Sequence, residues 1–111
     1  MKMFLKTEKQ FIDGNNPIEV TLDKALNYIN EHPSDAECAD NFIGFENEQG
    51  KTIQFIKFED GTWIIDVPVL KNGVYSYSEQ NNDLNTLSVK EIIKRFNDNQ
   101  NWRSLCNLVI I

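Results

Sequence analysis

The sequence predicts an α+β domain: an antiparallel β-meander of four to six strands with two helices packed on one face, spanning residues 1–111 as a single unit. Three observations predict it. Two segments carry apolar residues at helical spacing. The stretch between them alternates apolar and polar residues at strand spacing. Gly-containing turn clusters punctuate that stretch at regular intervals. Helices set apart from a run of hairpin-linked strands define α+β, not alternating α/β.

The first helix follows Pro17 and a short β-prone run, Ile18-Glu19-Val20. Thr21 is its expected N-cap, and Asp23 in the first turn suits the helix dipole. Leu22, Ala25, Leu26 and Ile29 form one apolar stripe, and the His32-Pro33 step stops the helix because a residue before proline is pushed out of the helical region. The second helix is expected to start at Ser88, where Ser88 and Glu91 make the S-x-x-E capping pattern. Val89, Ile92, Ile93 and Phe96 form its stripe, Lys94 and Arg95 suit its C-terminal end, and the Asn97–Asn101 segment ends it.

The strands are expected at Phe42–Glu46, Thr52–Glu59, Thr62–Leu70 and Val74–Ser78. Asn47–Gly50 is the first turn, and Asp60-Gly61 and Asn72-Gly73 are type I′ hairpin signals. Trp63, Ile65, Val67 and Val69 make one apolar face. In the second strand the apolar phase switches from Ile53 and Phe55 to Ile56 and Phe58, which calls for a β-bulge near Phe55-Ile56 or burial on both faces. Pro68 cannot donate to a ladder, so it belongs near a strand end or on an unpaired side. Leu105–Ile111 is nearly all apolar, which fits a buried last strand or a helix turn packed on the core, its length and β-branched end favouring the strand, and residues 2–6 or 18–20 can add a short edge strand.

Composition excludes several function classes. A 41% hydrophobic, 11% aromatic chain is too apolar for disorder. A net charge of −6 argues against nucleic acid as a partner, since phosphate binding needs a basic footprint. The charge is local. Residues 1–12 carry three lysines against Glu8, a net of +2; residues 13–50 carry nine acidic side chains against Lys24, a net of −8; residues 51–111 carry seven of each sign. The N-terminal apolar run is too short for a signal peptide, and no stretch reaches the length of a membrane span, so a cytoplasmic chain without membrane contact is expected. Cys38 and Cys106 share no metal-type spacing and are expected as buried free thiols.

Candidate chemistry is sparse. His32 is the sole histidine, at a helix end where partial exposure is the ordinary outcome. The run His32–Asp40 holds imidazole, thiol and three carboxylates, but in neither a zinc nor a calcium spacing, so it is expected as a solvated acidic loop and no metal site is assigned. Neither cysteine has a neighbouring base, Asp60 belongs to a turn, and Asp66 points away from Trp63 and Ile65, so no catalytic residue is assigned. The five glycines make no phosphate loop, and no cofactor is expected. Trp63 is expected in the core, with Tyr75 and Tyr77 at a core rim or a contact surface. The acidic third is the remaining feature. Asp35, Glu37, Asp40, Glu46 and Glu48 are expected to form an exposed face that attracts a basic protein.

The layout resembles small immunity proteins of bacterial polymorphic-toxin systems. The resemblance rests on Pro17-Ile18-Glu19-Val20-Thr21, on the Phe58-Glu59-Asp60-Gly61-Thr62-Trp63 hairpin, and on the late helix ending at Phe96 followed by Trp102. It implies a non-enzymatic protein that binds and blocks a cognate toxin, often a basic nuclease, with the acidic segment as the contact face. The alternatives are a small-molecule-binding or enzymatic α+β domain, or a structural subunit whose edge or C-terminal strand completes an oligomer. The chain is accordingly expected as a monomer or homodimer.

Overall fold

Strand pairing organises this chain. In a computed structural model describing residues 1–34 and 41–110, the strands are β1 (Lys2–Lys6), β2 (Phe11–Ile12), β3 (Ile18–Glu19), β4 (Phe42–Glu46), β5 (Thr52–Lys57), β6 (Trp63–Lys71), β7 (Val74–Leu84) and β8 (Val109–Ile110). They pair antiparallel in the order β2-β1-β4-β5-β6-β7-β8, with β3 also on β1. The α+β class and the meander are as the sequence predicts. The sheet has eight strands, more than the expected four to six, because residues 2–6 and 18–19 both form strands instead of one of them, and the two-residue β2 leaves no periodic signature. Residues 2–6 are not an edge: β1 holds β4 on one side and β2 and β3 on the other.

Two helices cover one face of this sheet. In α1 (Leu22–Glu31), the Thr21 hydroxyl accepts the Lys24 N–H at 3.2 Å, the expected cap. The second helix, α2 (Thr86–Asn97), starts two residues before Ser88. Asn85 is its cap, accepting the Ser88 N–H at 2.8 Å, so the Ser88–Glu91 pair lies inside the helix and caps nothing. The helix ends in a Schellman turn: Asn99 adopts φ 57°, and the Gln100 N–H returns to the Arg95 carbonyl at 2.8 Å. Ala25 and Ile29 of α1 and Val89, Ile92, Ile93 and Phe96 of α2 share one core with Met3, Leu5, Ile43, Phe45, Ile53, Phe55, Trp63 and Ile65.

The turns correct one expectation. Asn72 (φ 54°) and Gly73 (φ 77°) make the two-residue type I′ turn. Asp60-Gly61 does not, since only Gly61 has positive φ. Phe58 N–H bonds the Thr62 carbonyl at 2.8 Å and Gly61 N–H bonds the Phe58 carbonyl at 3.1 Å, closing a three-residue loop. Asp60 Oδ1 fixes it by accepting both the N–H and the O–H of Thr62. Asn47 and Lys51 close the β4–β5 loop by the same pattern, with Gly50 at φ 75°.

β5 takes the second of its two expected forms, burial on both faces, and ends at Lys57, while β7 runs further than expected. In β5 the ladder runs unbroken from Gln54 to Lys57, so there is no bulge at Phe55-Ile56; Ile53 and Phe55 enter the core while Ile56 sits half-buried on the opposite face. The register shifts lie instead between β6 and β7, near Ile64 and Ser76. β7 continues to Leu84, six residues past Ser78, through a polar run whose amides find partners: Gln80 donates to Asp66, and Asn81 donates to the Cys106 carbonyl at 2.6 Å. Pro68 pairs with Ser78 of β7 and lies beyond the last β5 pair, Gln54–Asp66. The C-terminal run is not a buried strand. Arg103–Leu105 is a 3₁₀ turn, Cys106 is the fully buried residue among those described in this segment, and Val109 and Ile110 in β8 are 64% and 70% exposed.

Trp63 joins these layers. Its ring, fully buried, meets Phe55 edge-on at 6.4 Å and stacks with His32 at 5.7 Å, while its indole N–H donates to Thr86 Oγ1 at 3.0 Å. One side chain thus ties β6 to the end of α1 and the start of α2. On the other face the Phe4 ring lies over Gly44 so closely that a Cβ there would stand only 2.0 Å from its Cζ. Gly44→Ala should therefore displace a nearly buried phenylalanine and lower stability by about 2 kcal/mol. Chemical denaturation of Gly44→Ala, Phe4→Leu and the double variant checks this, with the double variant less destabilised than the sum of the two.

Candidate functional site

The face of the sheet turned away from the helices is the candidate site. Side chains alternate along strands, so the residues between the core positions share this face. They are Lys2, Phe4 and Lys6 of β1, Phe42, Gly44 and Glu46 of β4, Thr52, Gln54 and Ile56 of β5, and Ile64 and Asp66 of β6. Pairing then sorts them into rows across the strands.

One row is apolar. Phe11 pairs with Lys6, Lys6 with Phe42, and Ile56 with Ile64, while Phe42 is one step from the Ile43–Phe55 pair and so aligns with Ile56. Phe42, Ile56 and Ile64 are half-buried and Phe11 is 64% exposed. Phe4 adds to the row, its ring centroid 6.3 Å from that of Phe42, and Phe58 just past β5 is also exposed. These side chains make part of the uncovered face apolar.

The next row is polar. Gln54, Asp66 and Gln80 face one another across β5, β6 and β7. Gln54 Nε2 donates to Asp66 Oδ2 at 2.8 Å and Gln80 Nε2 donates to Asp66 Oδ1 at 2.6 Å. Both oxygens of one carboxylate are therefore held by amides from the two neighbouring strands. A third row places Lys2 between Glu19 of β3 and Glu46 of β4. At the end of the apolar row, Glu59 and Asp60 stand exposed in the β5–β6 loop. The Thr62 hydroxyl, and then its N–H, hold the Asp60 carboxyl below its ordinary value.

The five acidic residues expected to bind a partner fall differently. Asp35, Glu37 and Asp40 lie outside the described residues. Glu46 is on the uncovered face and Glu48 is exposed in the β4–β5 loop. Both stand at the far end of β4 from Phe42, which follows Asp40 by two positions in the chain.

His32 is not partly exposed as expected. The chain leaves α1 in extended conformation at this residue and lays the imidazole on Trp63, 5% exposed. Burial, and then the nearby Lys57 ammonium, lower its pKa to about 4 against the Asn41 backbone, which favours the charged form. Among the described residues its Nε2 has no hydrogen-bond partner. It borders a cleft of about 560 Å³ that Glu8, Tyr28 and Glu31 also line and that reaches Ser34 and Asn41, the residues flanking 35–40. Burial raises the Cys106 thiol to about 11, although Arg103 opposes the shift, and its Sγ–H donates to the Trp102 carbonyl at 3.4 Å. That is an inert structural thiol. Cys38 lies outside the described residues. Asp60 and Asp66 have the roles expected, in a turn and on the face opposite Trp63. Trp63 is in the core, Tyr75 is 60% exposed, and the half-buried Tyr77 lies under the Lys71 ammonium. No group of three metal-ligating side chains occurs among the described residues, and no described helix is long and apolar enough to cross a membrane.

Sequence reasoning missed the apolar row and the Gln54–Asp66–Gln80 clamp. The phase switch at Phe55-Ile56 was the available signal for the first, because it puts Ile56 outside the core. The clamp joins residues far apart in sequence and has no local signature. Comparison with protein-family models, with curated proteins and with solved structures gives no match.

The buried neutral His32 gives a testable pH dependence. The unfolded chain takes up the proton near pH 6.5, the folded chain only near 4, so the unfolded state binds more protons between these values. Stability is complete above 6.5 and is lost as pH falls toward 4. Relative to His32→Phe, which keeps the ring against Trp63, the wild type should lose about 3 kcal/mol more between pH 7 and 4, measured as denaturation midpoints across that range.

Proposed function

We propose that this chain is a non-enzymatic binding domain that engages a basic protein through the uncovered face of its sheet. The observation that carries the reading is the row Phe42, Ile56 and Ile64, an apolar strip on the side the helices do not cover, with Phe11 beyond Lys6 at its β2 end. Asp66 lies one row away on the same face, Glu46 stands further along β4, Lys2 and Lys6 share the face, and Glu59 and Asp60 are exposed in the loop that follows β5. An apolar centre with a polar rim is the anatomy of a protein interface, and the net charge of −8 in residues 13–50 favours a basic partner and speeds encounter.

The resemblance to immunity proteins of polymorphic-toxin systems makes the partner a toxin, blocked by occlusion. The product of the gene immediately upstream tests this. A large secreted toxin is expected there, whose basic domain binds this chain and whose toxicity co-expression abolishes. Ile56→Lys should weaken that binding at least 100-fold while its unfolding midpoint stays near that of the wild type, and raised salt should weaken binding by the wild type. A metabolic enzyme at that position, or a toxin domain that does not bind, overturns the reading.

A further inference from the structure

We infer that Asn72 is a site of spontaneous covalent modification: the Gly73 backbone nitrogen displaces its side-chain amide, leaving aspartate and isoaspartate at the tip of the β6–β7 hairpin. This does not depend on the partner proposed above.

The reaction needs an electrophilic side-chain amide. It also needs a next residue with no Cβ to shield the attacking nitrogen, and an N–H not engaged elsewhere. Of the five glycines, Gly73 alone follows an asparagine. The turn itself calls for this dipeptide, because both central residues of a type I′ turn take positive φ. Asn72 and Gly73 are exposed, and the space around Gly73 is open. Among the described residues the Gly73 N–H donates no hydrogen bond. The tip also lies beyond the last β5 pair, Gln54–Asp66, so it can open locally while the core part of the sheet stays paired.

The step balances without oxidant or reductant. Hydroxide takes the Gly73 N–H proton, and the nitrogen forms a bond to Cγ of Asn72. The Cγ–Nδ2 bond breaks, and Nδ2 leaves as ammonia with a proton from water, closing a succinimide ring. Water then opens the ring. Opening at Cγ gives aspartate. Opening at the main-chain carbonyl gives isoaspartate, whose chain runs through Cβ and is one bond longer. Aspartate keeps the turn, since Asp-Gly also suits type I′, whereas the longer chain no longer fits the Lys71–Val74 pair that closes it. Either product adds one negative charge to a chain of net charge −6.

The competing positions are held back. Asp13-Gly14 and Asp60-Gly61 have no amide to lose, and the Gly61 N–H is committed to the Phe58 carbonyl at 3.1 Å. The side-chain amides of Asn47, Asn81 and Asn85 are bound to backbone groups. The Gln100 N–H, which follows Asn99, is bound to the Arg95 carbonyl at 2.8 Å.

Incubation of the folded chain at about pH 8 and 37 °C over about eight weeks, followed by peptide mass mapping, tests the inference, each event adding about 1 Da. The gain should concentrate at Asn72, as two isomers, at a rate at least about tenfold that of any other asparagine. Gly73→Ala should slow it at least about fivefold; its strained φ would loosen the turn and, were opening alone decisive, speed the reaction instead. No gain at Asn72, a gain spread evenly over the asparagines, or a Gly73→Ala chain that reacts as fast as the wild type overturns the inference, and the unmutated chain still supplies the map should Gly73→Ala fail to fold.

Discussion

The Trp63 side chain is the constraint on which the rest of the structure depends. It stands at the first position of β6, and from there its ring is boxed by Phe55 from the sheet, His32 from the end of α1 and the Thr86 hydroxyl at the start of α2. A buried indole needs both apolar contact and a partner for its N–H, and this arrangement supplies both from three separate elements. It also explains why His32 is buried. The imidazole completes the apolar box and in exchange gives up its charge. Helices α1 and α2 are thereby held to one side of the sheet, and the other side is left for side chains that no helix covers.

That division gives the two faces different chemistry. The inner face is closed by aliphatic and aromatic packing, including the Phe45–Phe55 and Phe96–Trp102 edge contacts. The outer face is ordered by rows across the strands, an apolar one beside an amide–carboxylate one. Gly44 shows how closely the rows are fitted, since the Phe4 ring occupies the place of its missing side chain. The binding reading follows from this asymmetry, because a sheet with one covered face offers the other to a partner.

Much of this was legible in the sequence. Both helical stripes, the Thr21 cap, the Asn72-Gly73 turn and the core place of Trp63 could be read because each rests on local spacing or local turn chemistry. What could not be read depends on distant partners. The polar end of β7 resembles a loop until Asp66 and the Cys106 carbonyl are brought to its amides. Ser88 looks like a cap, but Asn85 stands three residues earlier with an equally good side chain and takes the role. The C-terminal run has the composition of a buried strand, yet it reaches the sheet at its edge, where two residues pair and their side chains stay in solvent. The uncovered face left a single trace, the phase switch at Ile56, which alternation alone could not separate from a bulge.

The Asp66 clamp has a consequence for recognition. A free surface carboxylate must lose rotational freedom when a partner's cation settles on it, and that ordering opposes association. Here the two glutamine amides have already fixed the carboxylate, so its negative charge occupies one defined place before any partner arrives. The amides also occupy one lone pair on each oxygen and leave the outward ones open. A guanidinium approaching this face would meet an anion whose position and orientation are set by the fold, beside an apolar strip that excludes water from one flank. On the binding reading proposed above, the selectivity of this face would rest on geometry fixed during folding and not on groups ordered at the moment of contact.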